Sequence, residues 1–420
     1  MKSHKRGPYK NAATVMSPQW GLSLVELMIA LALSVTLILG IFTVYMDSSR
    51  TARVGEGLAR VQESGRIGLE IMSKEVRMAG FQGCADAYTV PVRVIADNPP
   101  PSLTPATGED TLYFYNSALL GWEVTAATQA SWENGTDFDS LGIIQADALP
   151  DSDVLMVQRA RLLSAAIANS TSASVSIEDP NGLFGAGAAF SSGSLLMIAG
   201  CENADIFRLT NNPTGTPKLA MHGSGKNSSD SLSIAYAADE DAEVYALDST
   251  VFFVADTGRL DDNGNTITAL YRATNNFPES ASPSFQREEL VEGVESMQIQ
   301  YGLRINATNN TIRYVSAPAM AASDWKDVVV IRVGLLVSAG GNAMAENDSQ
   351  TYELPGQTFV PSGPAAGELV HAADRRLRKA FVSTLGIRNR RCGEFRQFGA
   401  TDFWEWETAD NNGGDGDPCN

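Results

Sequence analysis

The 420-residue sequence is poor in the side chains on which most metal enzymes depend, with only three histidines and four cysteines. It also lacks the Gly-x-Ser-x-Gly elbow of serine hydrolases, a P-loop, a dinucleotide-binding fingerprint and an HExxH metal motif. Basic residues are outnumbered, with 31 Lys and Arg against 49 Asp and Glu. A chain with a net charge of −18 offers little of the basic surface that binds nucleic acid. We therefore expect neither an enzyme nor a nucleic-acid-binding protein, and no bound cofactor.

The few positive charges are concentrated at the start of the chain. Residues 1–21 contain four basic residues and no acidic one, and the 20 residues from Leu27 to Met46 carry no formal charge. At a rise of about 1.5 Å per residue, this run spans the hydrocarbon core of a bilayer. The basic flank predicts that residues 1–21 lie in the cytoplasm, that the chain crosses the membrane once and that the acidic head lies on the other side. Residues 41–49 contain no Ala-x-Ala cleavage site, so we expect the segment to be retained.

One acidic residue, Glu26, lies at the edge of this apolar run. An unpaired carboxylate in lipid costs at least a few kcal/mol, so two interpretations remain open. The side chain could reach the lipid headgroups, or it could pair with a cation from a neighbouring molecule.

The residues around Glu26 resemble a known sequence signal. The sequence GLSLVELMI, residues 21–29, resembles the signal of type IV prepilins, although Leu22 replaces the commoner Phe and the leader is long. The resemblance implies that prepilin peptidase cleaves between Gly21 and Leu22 and methylates the amine of Leu22. It also implies that Glu26 sets subunit registration. A new amine at Leu22 would lie four residues before Glu26, so a neighbouring subunit could supply the cation.

The helix is predicted to continue beyond the membrane. No proline occurs between Pro18 and Pro91, and Gly80 follows as a helix cap. We therefore expect one helix of about 55 residues, with a transmembrane half at 22–46 and an amphipathic half at 47–80. A membrane anchor followed by a coiled-coil stalk fits the same pattern. The apolar residues recur every three or four positions, at Val54, Leu58, Val61, Gly65, Leu69, Met72, Val76 and Ala79.

Residues 59–84, ARVQESGRIGLEIMSKEVRMAGFQGC, resemble the segment after the helix in PilW-type minor pilins. The resemblance is strong over residues 21–84 and returns in patches through the rest of the chain. It implies an α+β, type IV pilin-like fold, in which a long N-terminal helix packs on a large antiparallel β-rich head. The patches are Gly200–Phe207, Val254–Thr257, Ala269–Arg272, Leu290–Val294 and Asp374–Arg390.

The head, residues 81–420, is predicted to be rich in β-strands and large enough for two lobes, with a boundary near 210–235. Asn263-Gly264 is typical of a hairpin turn. The expected strands are Thr111–Tyr115, Val154–Arg159, Ser194–Ala199, Val244–Val254, Thr268–Arg272, Ser296–Tyr301, Val328–Ser338 and Lys379–Gly386.

The four cysteines are Cys84, Cys201, Cys392 and Cys419. An even number outside the cytoplasm favours disulfides over metal ligation, and three pairings are possible. The PilW-type resemblance implies Cys84–Cys201. A Cys392–Cys419 bridge would close a short loop.

Two acidic loops, Asp256–Asn265 and Asp410–Asp417, contain oxygen donors that suit Ca²⁺, but neither has EF-hand spacing. We expect a hairpin and a solvated tail instead, with calcium in the tail as a weak alternative. His222 and His371 are expected in exposed loops.

A basic cluster stands out near the C-terminus of so acidic a chain. It is expected to form the solvent face of the last strand, or else an electrostatic docking surface for an acidic partner pilin. The cluster comprises Arg375, Arg376, Arg378, Lys379, Arg388, Arg390 and Arg391.

These features together predict a structural minor pilin that is incorporated into a type IV pilus or primes its assembly. The expected partners are the major pilin, other minor pilins, prepilin peptidase and the inner-membrane assembly platform. The alternatives are a J-type minor pseudopilin of type II secretion, or an adhesin at the filament tip that binds through residues 85–200.

Overall fold

The chain forms two compact units, Met1–Arg53 and Val54–Asn420, and helix α1 (Leu24–Arg77) supplies residues to both. The domain boundaries predicted from the sequence, including a division of the head near 210–235, stay predictions. The computed structural model describes residues 21, 23–85, 90–99, 103, 105, 109–112, 118–124, 132–133, 147–171, 173–223, 225–236, 242–261, 263–275, 286–306, 311–321 and 324–388.

Helix α1 is 54 residues long, close to the length predicted from its apolar run and amphipathic stripe. It ends at Arg77, slightly before the predicted cap, and a turn follows at residues 78–80. Gly80 has a φ of +73°, a left-handed conformation that glycine adopts without a Cβ clash. Its amide donates to the carbonyl of Gln158 at 2.9 Å, so the end of the helix is tied to the head.

The described part of the head is built from strands, most of them antiparallel to their neighbours. The strands are β1 (Val92–Val94), β2 (Thr111–Leu112), β3 (Leu119–Val124), β4 (Trp132–Glu133), β5 (Val154–Ser170), β6 (Ser174–Glu178), β7 (Leu195–Ala199), β8 (Ala204–Arg208), β9 (Lys218–Met221), β10 (Glu243–Leu260), β11 (Thr266–Asn275), β12 (Gln286–Glu292), β13 (Val294–Asn306), β14 (Thr311–Val315), β15 (Val328–Ser338), β16 (Tyr352–Leu354), β17 (Gln357–Val360), β18 (Glu368–Val370) and β19 (Arg378–Gly386).

The largest sheet contains 12 strands among the described residues, in the order β2-β1-β8-β7-β10-β5-β3-β4. Strands β11 and β12 extend from β10, and β6 and β9 extend from β5. The 18-residue strand β10 pairs with β5, β7 and β11, so it joins strands from both sides of residues 210–235. Among the described strands of this sheet, only β1 and β8 pair in parallel.

Two smaller sheets complete the described head. One has the order β14-β13-β15-β19 and the other β16-β17-β18, in which β17 and β18 are parallel. Strand β15 has the bounds predicted from the sequence, because its apolar run is buried on nearly every residue. Strand β2 covers only the first two residues of the predicted Thr111–Tyr115, and residues 113–117 lie outside the described part of the chain.

The Asn263-Gly264 turn joins β10 to β11 as the sequence predicts, with Leu260 paired opposite Thr266. Gly264 has a φ of +79°, and its amide donates to the carbonyl of Asp261 at 2.9 Å. The Asp261 carboxylate also accepts hydrogen bonds from the amides of Asn263 and Asn265, each at 2.9 Å. The acidic loop therefore forms a closed hairpin turn.

The amphipathic part of α1 lies close against the head because glycines line its buried face. A Cβ added to Gly57 would be 3.3 Å from the Cβ atoms of Ala339 and Ala343, and one added to Gly68 would be 3.0 Å from Leu335. The predicted stripe is confirmed where Val61, Gly65, Met72, Val76 and Ala79 are buried, whereas Leu58 is 39% exposed.

A buried ion pair stabilises the last turn of the helix on the large sheet. The Glu75 carboxylate accepts a hydrogen bond of 3.0 Å from Nε of Arg159 on β5. Its other oxygen lies 3.9 Å from a guanidinium nitrogen of Arg272 on β11. Glu75 is only 7% exposed, so removal of either charge would leave a costly unpaired partner.

We expect Gly65→Val to destabilise the protein, because a Cβ at this position would overlap the ring of Phe381 on β19. Overpacking of this kind costs about 1–3 kcal/mol. Gly55→Val is the matched control, since nothing lies within 4 Å of its added Cβ. Thermal unfolding of the full chain in detergent should show a lower midpoint for Gly65→Val only. Equal midpoints for the two variants would contradict the close approach of helix and sheet.

Candidate assembly surfaces

The first half of α1 presents a long apolar surface. Every residue from Ser23 to Tyr45 is exposed, and this is the one helix among the described residues that is long and apolar enough to cross a membrane. Exposed apolar surface of this extent requires lipid or other protein to cover it. The large apolar side chains are Leu24, Val25, Leu27, Met28, Ile29, Leu31, Leu33, Val35, Leu37, Ile38, Leu39, Ile41, Phe42, Val44 and Tyr45.

Glu26 takes part in a capping box at the start of this helix. The amide of Ser23 donates to Oε2 of Glu26 at 3.4 Å, and the amide of Val25 donates to Oγ of Ser23 at 3.3 Å. Each contact satisfies an amide that has no partner within the helix. The Ser-x-x-Glu spacing at 23–26 is the sequence signature of this motif and is the local signal that predicts it.

The rest of the predicted processing site is only partly described. Gly21, the last residue of the predicted leader 1–21, is exposed, whereas Leu22 and the other leader residues, 1–20, lie outside the described residues. Cleavage between Gly21 and Leu22, methylation of Leu22 and registration by Glu26 therefore stay predictions.

A disulfide joins Cys84 to Cys201, with 4.6 Å between their Cα atoms. These are the two cysteines that the PilW-type resemblance brings together. Cys84 follows the turn after α1, and Cys201 lies in the connection between β7 and β8. Cys392 and Cys419 lie outside the described residues, so their pairing stays a prediction.

The basic cluster is neither a solvent face nor a docking surface at its two central residues. Arg376 and Arg378 are only 8% and 4% exposed. Arg376 Nη2 donates to Asp261 Oδ2 at 2.9 Å, and Arg378 Nε donates to Glu295 Oε2 at 2.7 Å. The interpretation from the sequence is wrong here, because acidic residues distant in sequence fold onto these guanidinium groups.

The same network contains two further carboxylates. Arg378 Nη1 donates to Asp374 Oδ1 at 2.7 Å and lies 3.4 Å from Asp348 Oδ2. Burial would lower the pKa of Arg378, but its ion pairs with Asp374 and Glu295 outweigh burial and raise that pKa. Of the other members of the cluster, Arg375, Lys379 and Arg388 are exposed, whereas Arg390 and Arg391 lie outside the described residues.

In the hairpin loop 256–265, the carboxylate of Asp261 is held by donors from the protein itself. Burial would raise the pKa of Asp261, but the Asn265 amide, the Arg376 guanidinium and the Asn263 amide together lower it to about 2. The carboxylate oxygens are thus occupied by protein donors. In the part of the chain that is described, no group of three or more His, Cys, Asp or Glu side chains is arranged to hold a metal ion. The tail Asp410–Asp417 lies outside that part.

Both histidines singled out from the sequence are buried, so their expected exposure is wrong. The ring of His371 contacts the carbonyls of Ala372 at 3.1 Å and Gln350 at 2.8 Å. The ring of His222 packs on Phe207, with 5.2 Å between centroids, and neither of its nitrogens has a hydrogen-bond partner among the described residues. Loop histidines are usually exposed, but these two rings pack on aromatic side chains, His222 on Phe207 and His371 on Tyr352.

Burial lowers the pKa of His222 below its ordinary value of 6.5. The unfolded chain therefore takes up a proton at this residue at a higher pH than the native state does. The contribution of His222 to the free energy of unfolding is fully present above pH 6.5. It is lost as the pH falls toward the lowered pKa of the native state. We expect His222→Phe to reduce the loss of thermal stability between pH 7.5 and pH 5. Identical pH profiles for the two proteins would contradict this assignment.

Comparison with known proteins supports a role in type IV pilus assembly. The PilW family model, described as Type IV Pilus-assembly protein W, matches residues 251–389. The matched range extends from within β10 past the end of β19, and it includes the four-stranded sheet and the buried pair Arg376 and Arg378. No curated protein and no solved structure matches the chain.

Proposed function

We propose that this protein is a structural minor pilin, incorporated into a type IV pilus or priming its assembly. The observation that carries the proposal is the family match over residues 251–389. It is supported by the exposed apolar run from Leu24 to Tyr45, which suits a subunit that moves from membrane to filament. The precursor would be cleaved between Gly21 and Leu22 and methylated at Leu22.

In this proposal the protein has a structural role: it assembles with other subunits and catalyses no reaction. In the bilayer, lipid covers the apolar half of α1, and in a filament the helices of neighbouring subunits cover it instead. Its partners would be the major pilin, other minor pilins, prepilin peptidase and the inner-membrane assembly platform. The head would lie in the periplasm before assembly and at the cell surface afterwards.

The role of Glu26 can be separated into two parts. Its contact with the Ser23 amide is 3.4 Å, at the long end of hydrogen bonds, so the cap does not fully engage the carboxylate. The carboxylate can still accept hydrogen bonds, which suits the positively charged N-terminal amine of a neighbouring, processed subunit. Local capping needs only an oxygen acceptor, whereas pairing between subunits needs the negative charge.

Mass spectrometry of the N-terminal peptide from sheared filaments tests the proposal directly. A chain that begins at N-methylated Leu22 and is present in the filament fraction is the expected result. A chain that still begins at Met1 and occurs only in membranes would overturn the proposal.

We expect Glu26→Gln to be cleaved normally but incorporated into filaments several-fold less than the wild type. Glutamine can still accept the Ser23 amide, so this change removes the charge and keeps the cap. Ser23→Ala is the matched control, because it weakens the cap and keeps the charge. Immunoblots of sheared filaments against whole cells measure incorporation. Normal incorporation of Glu26→Gln would show that the charge has no role between subunits.

An adhesin at the filament tip is the second candidate, favoured by one observation. The family match leaves out β1–β9, which form most of the 12-stranded sheet. Deletion of residues 85–200 would not test this role, because β5 lies in that range and contributes Val154, Leu155 and Met156 to the core. Substitution of an exposed side chain within this range, such as Leu162 on β5, leaves the core in place. Lost adhesion with normal piliation would support the adhesin.

A J-type minor pseudopilin of type II secretion is the remaining alternative. A deletion strain separates the two systems, because loss of pili with normal secretion supports the pilus. Loss of secretion with normal pili would support the pseudopilin.

A further inference from the structure

A cavity of about 220 Å³ lies where the three sheets of the described head meet. Strand β3 of the large sheet, β13 of the four-stranded sheet, and β17 and β18 of the three-stranded sheet all contribute to its lining. A cavity of ~15 Å³ is enough for one water molecule, so this one admits a group of several heavy atoms. The described lining residues are Glu123, Val124, Asp151, Gln298, Gln357, Gly367, Glu368 and Leu369.

The side chains of this lining carry negative charge, which attracts cations. Glu123, Asp151 and Glu368 are acidic, and the described lining contains no Lys, Arg or His. Within the described part of the chain, Asp151 forms hydrogen bonds only through its backbone amide and carbonyl. Its carboxylate is therefore available, and because Asp151 is exposed, an incoming cation can reach it.

Gln298 on β13 supplies a buried acceptor whose orientation is fixed. The residue is only 3% exposed, and its Nε2 donates to the carbonyl of Asp151 at 2.9 Å and to Oγ of Ser296 at 3.1 Å. Because a carbonyl oxygen can only accept, Nε2 must face Asp151, and Oε1 is turned away from it. Among the described residues, Oε1 accepts no hydrogen bond. Buried amide oxygens are nearly always hydrogen-bonded, so this one calls for a donor from elsewhere.

Gln357 on β17 repeats this arrangement on another wall. Its Nε2 donates to Oε1 of Glu123 on β3 at 3.3 Å, which joins the three-stranded sheet to the large one. Its own Oε1 is buried and has no hydrogen-bond partner among the described residues. Both amide nitrogens of the lining are thus engaged, and both amide oxygens are left as acceptors.

Charge and hydrogen bonding together indicate a cation that carries several donors. A metal ion needs oxygen ligands that converge on one point, and no group of three or more acidic side chains in the described part of the chain is arranged in that way. A lysine ammonium is a compact charge whose three donors share one nitrogen. A guanidinium group spreads five N–H donors over a plane and pairs with a carboxylate through two parallel hydrogen bonds. It can therefore reach acceptors on separate walls of the cavity.

We propose that this cavity is a binding site for a guanidinium group. Asp151 and Glu368 supply the negative charge. The amide oxygens of Gln298 and Gln357 accept the N–H groups that the carboxylates leave free. A small guanidinium compound and an arginine side chain of a partner protein present the same group, so the site recognises either by the same contacts. The proposal does not depend on the pilus role, since it concerns a site in the head and not the apolar helix.

Isothermal titration calorimetry on the full-length chain in detergent tests the site with three probes. Ethylguanidinium presents the group alone, and acetyl-arginine amide presents it as an arginine side chain does in a protein. Tetramethylammonium carries the same charge without any N–H donor. We expect both guanidinium probes to bind, and tetramethylammonium to bind at least several-fold more weakly.

Two variants assign the binding to this cavity. Asp151 has a φ of +60°, a conformation that Asn also adopts, so Asp151→Asn removes the charge and keeps the backbone. Glu368 accepts a hydrogen bond of 2.8 Å from the amide of Ala365, and Glu368→Gln keeps an acceptor for it. We expect each variant to keep the thermal midpoint of the wild type and to bind ethylguanidinium several-fold more weakly. Glu353→Gln is the matched control, because Glu353 is exposed on β16 of the same small sheet and does not line the cavity.

The absence of heat from either guanidinium probe at millimolar concentration would overturn the proposal and leave the pilus role in place. Equal binding of tetramethylammonium would show that the cavity attracts charge alone, which also overturns it. Equal binding of ethylguanidinium to the wild type and to both cavity variants would place the site elsewhere and overturn it too. Acetyl-arginine amide that binds at least as tightly as ethylguanidinium supports a partner's arginine as the source, whereas binding of ethylguanidinium alone supports a small compound.

Discussion

The head depends on the close contact between the glycine face of α1 and the sheets beneath it. Gly57, Gly65 and Gly68 bring the helix backbone within reach of Ala339, Phe381 and Leu335. Larger residues would lift the helix and open the core that Val61, Met72 and Val76 share with the strands. The ion pair of Glu75 with Arg159 then fixes the helix along its axis.

The sequence predicts the regular elements well, because periodicity reports directly on burial. The long helix, strand β15 and the Asn263-Gly264 hairpin all follow from local patterns. Contacts between distant residues are not visible in such patterns. Arg376 looks like a surface charge until Asp261, 115 positions earlier, folds onto it. The predicted exposure of His222 is wrong for the same reason. The capping box at Ser23 differs from these contacts, because its Ser-x-x-Glu signature is local and can be read from the sequence.

The family match and the prepilin-like signal lie in different parts of the chain. The match begins at residue 251, whereas the signal ends before residue 30. The match supports a role in pilus assembly, whereas the prepilin resemblance of the N-terminal segment stays a prediction. Most of the 12-stranded sheet lies outside both the matched range and the prepilin-like segment. Strand β10 nevertheless extends into the matched range, and it pairs with β5 and β7, which lie outside that range. The unmatched strands are thus integral to the head.

The bridge between Cys84 and Cys201 has a mechanical consequence. Under the proposed function the subunit would bear tension, and a load applied along the helix would pass through the turn at residues 78–80. From Cys84 the load divides between the continuing backbone and the covalent link to the β7–β8 connection. Strands β7 and β8 are hydrogen-bonded to each other, and β7 is also paired with β10. The disulfide therefore connects the end of the helix covalently to the middle of the large sheet, far along the chain from the strand that follows the helix.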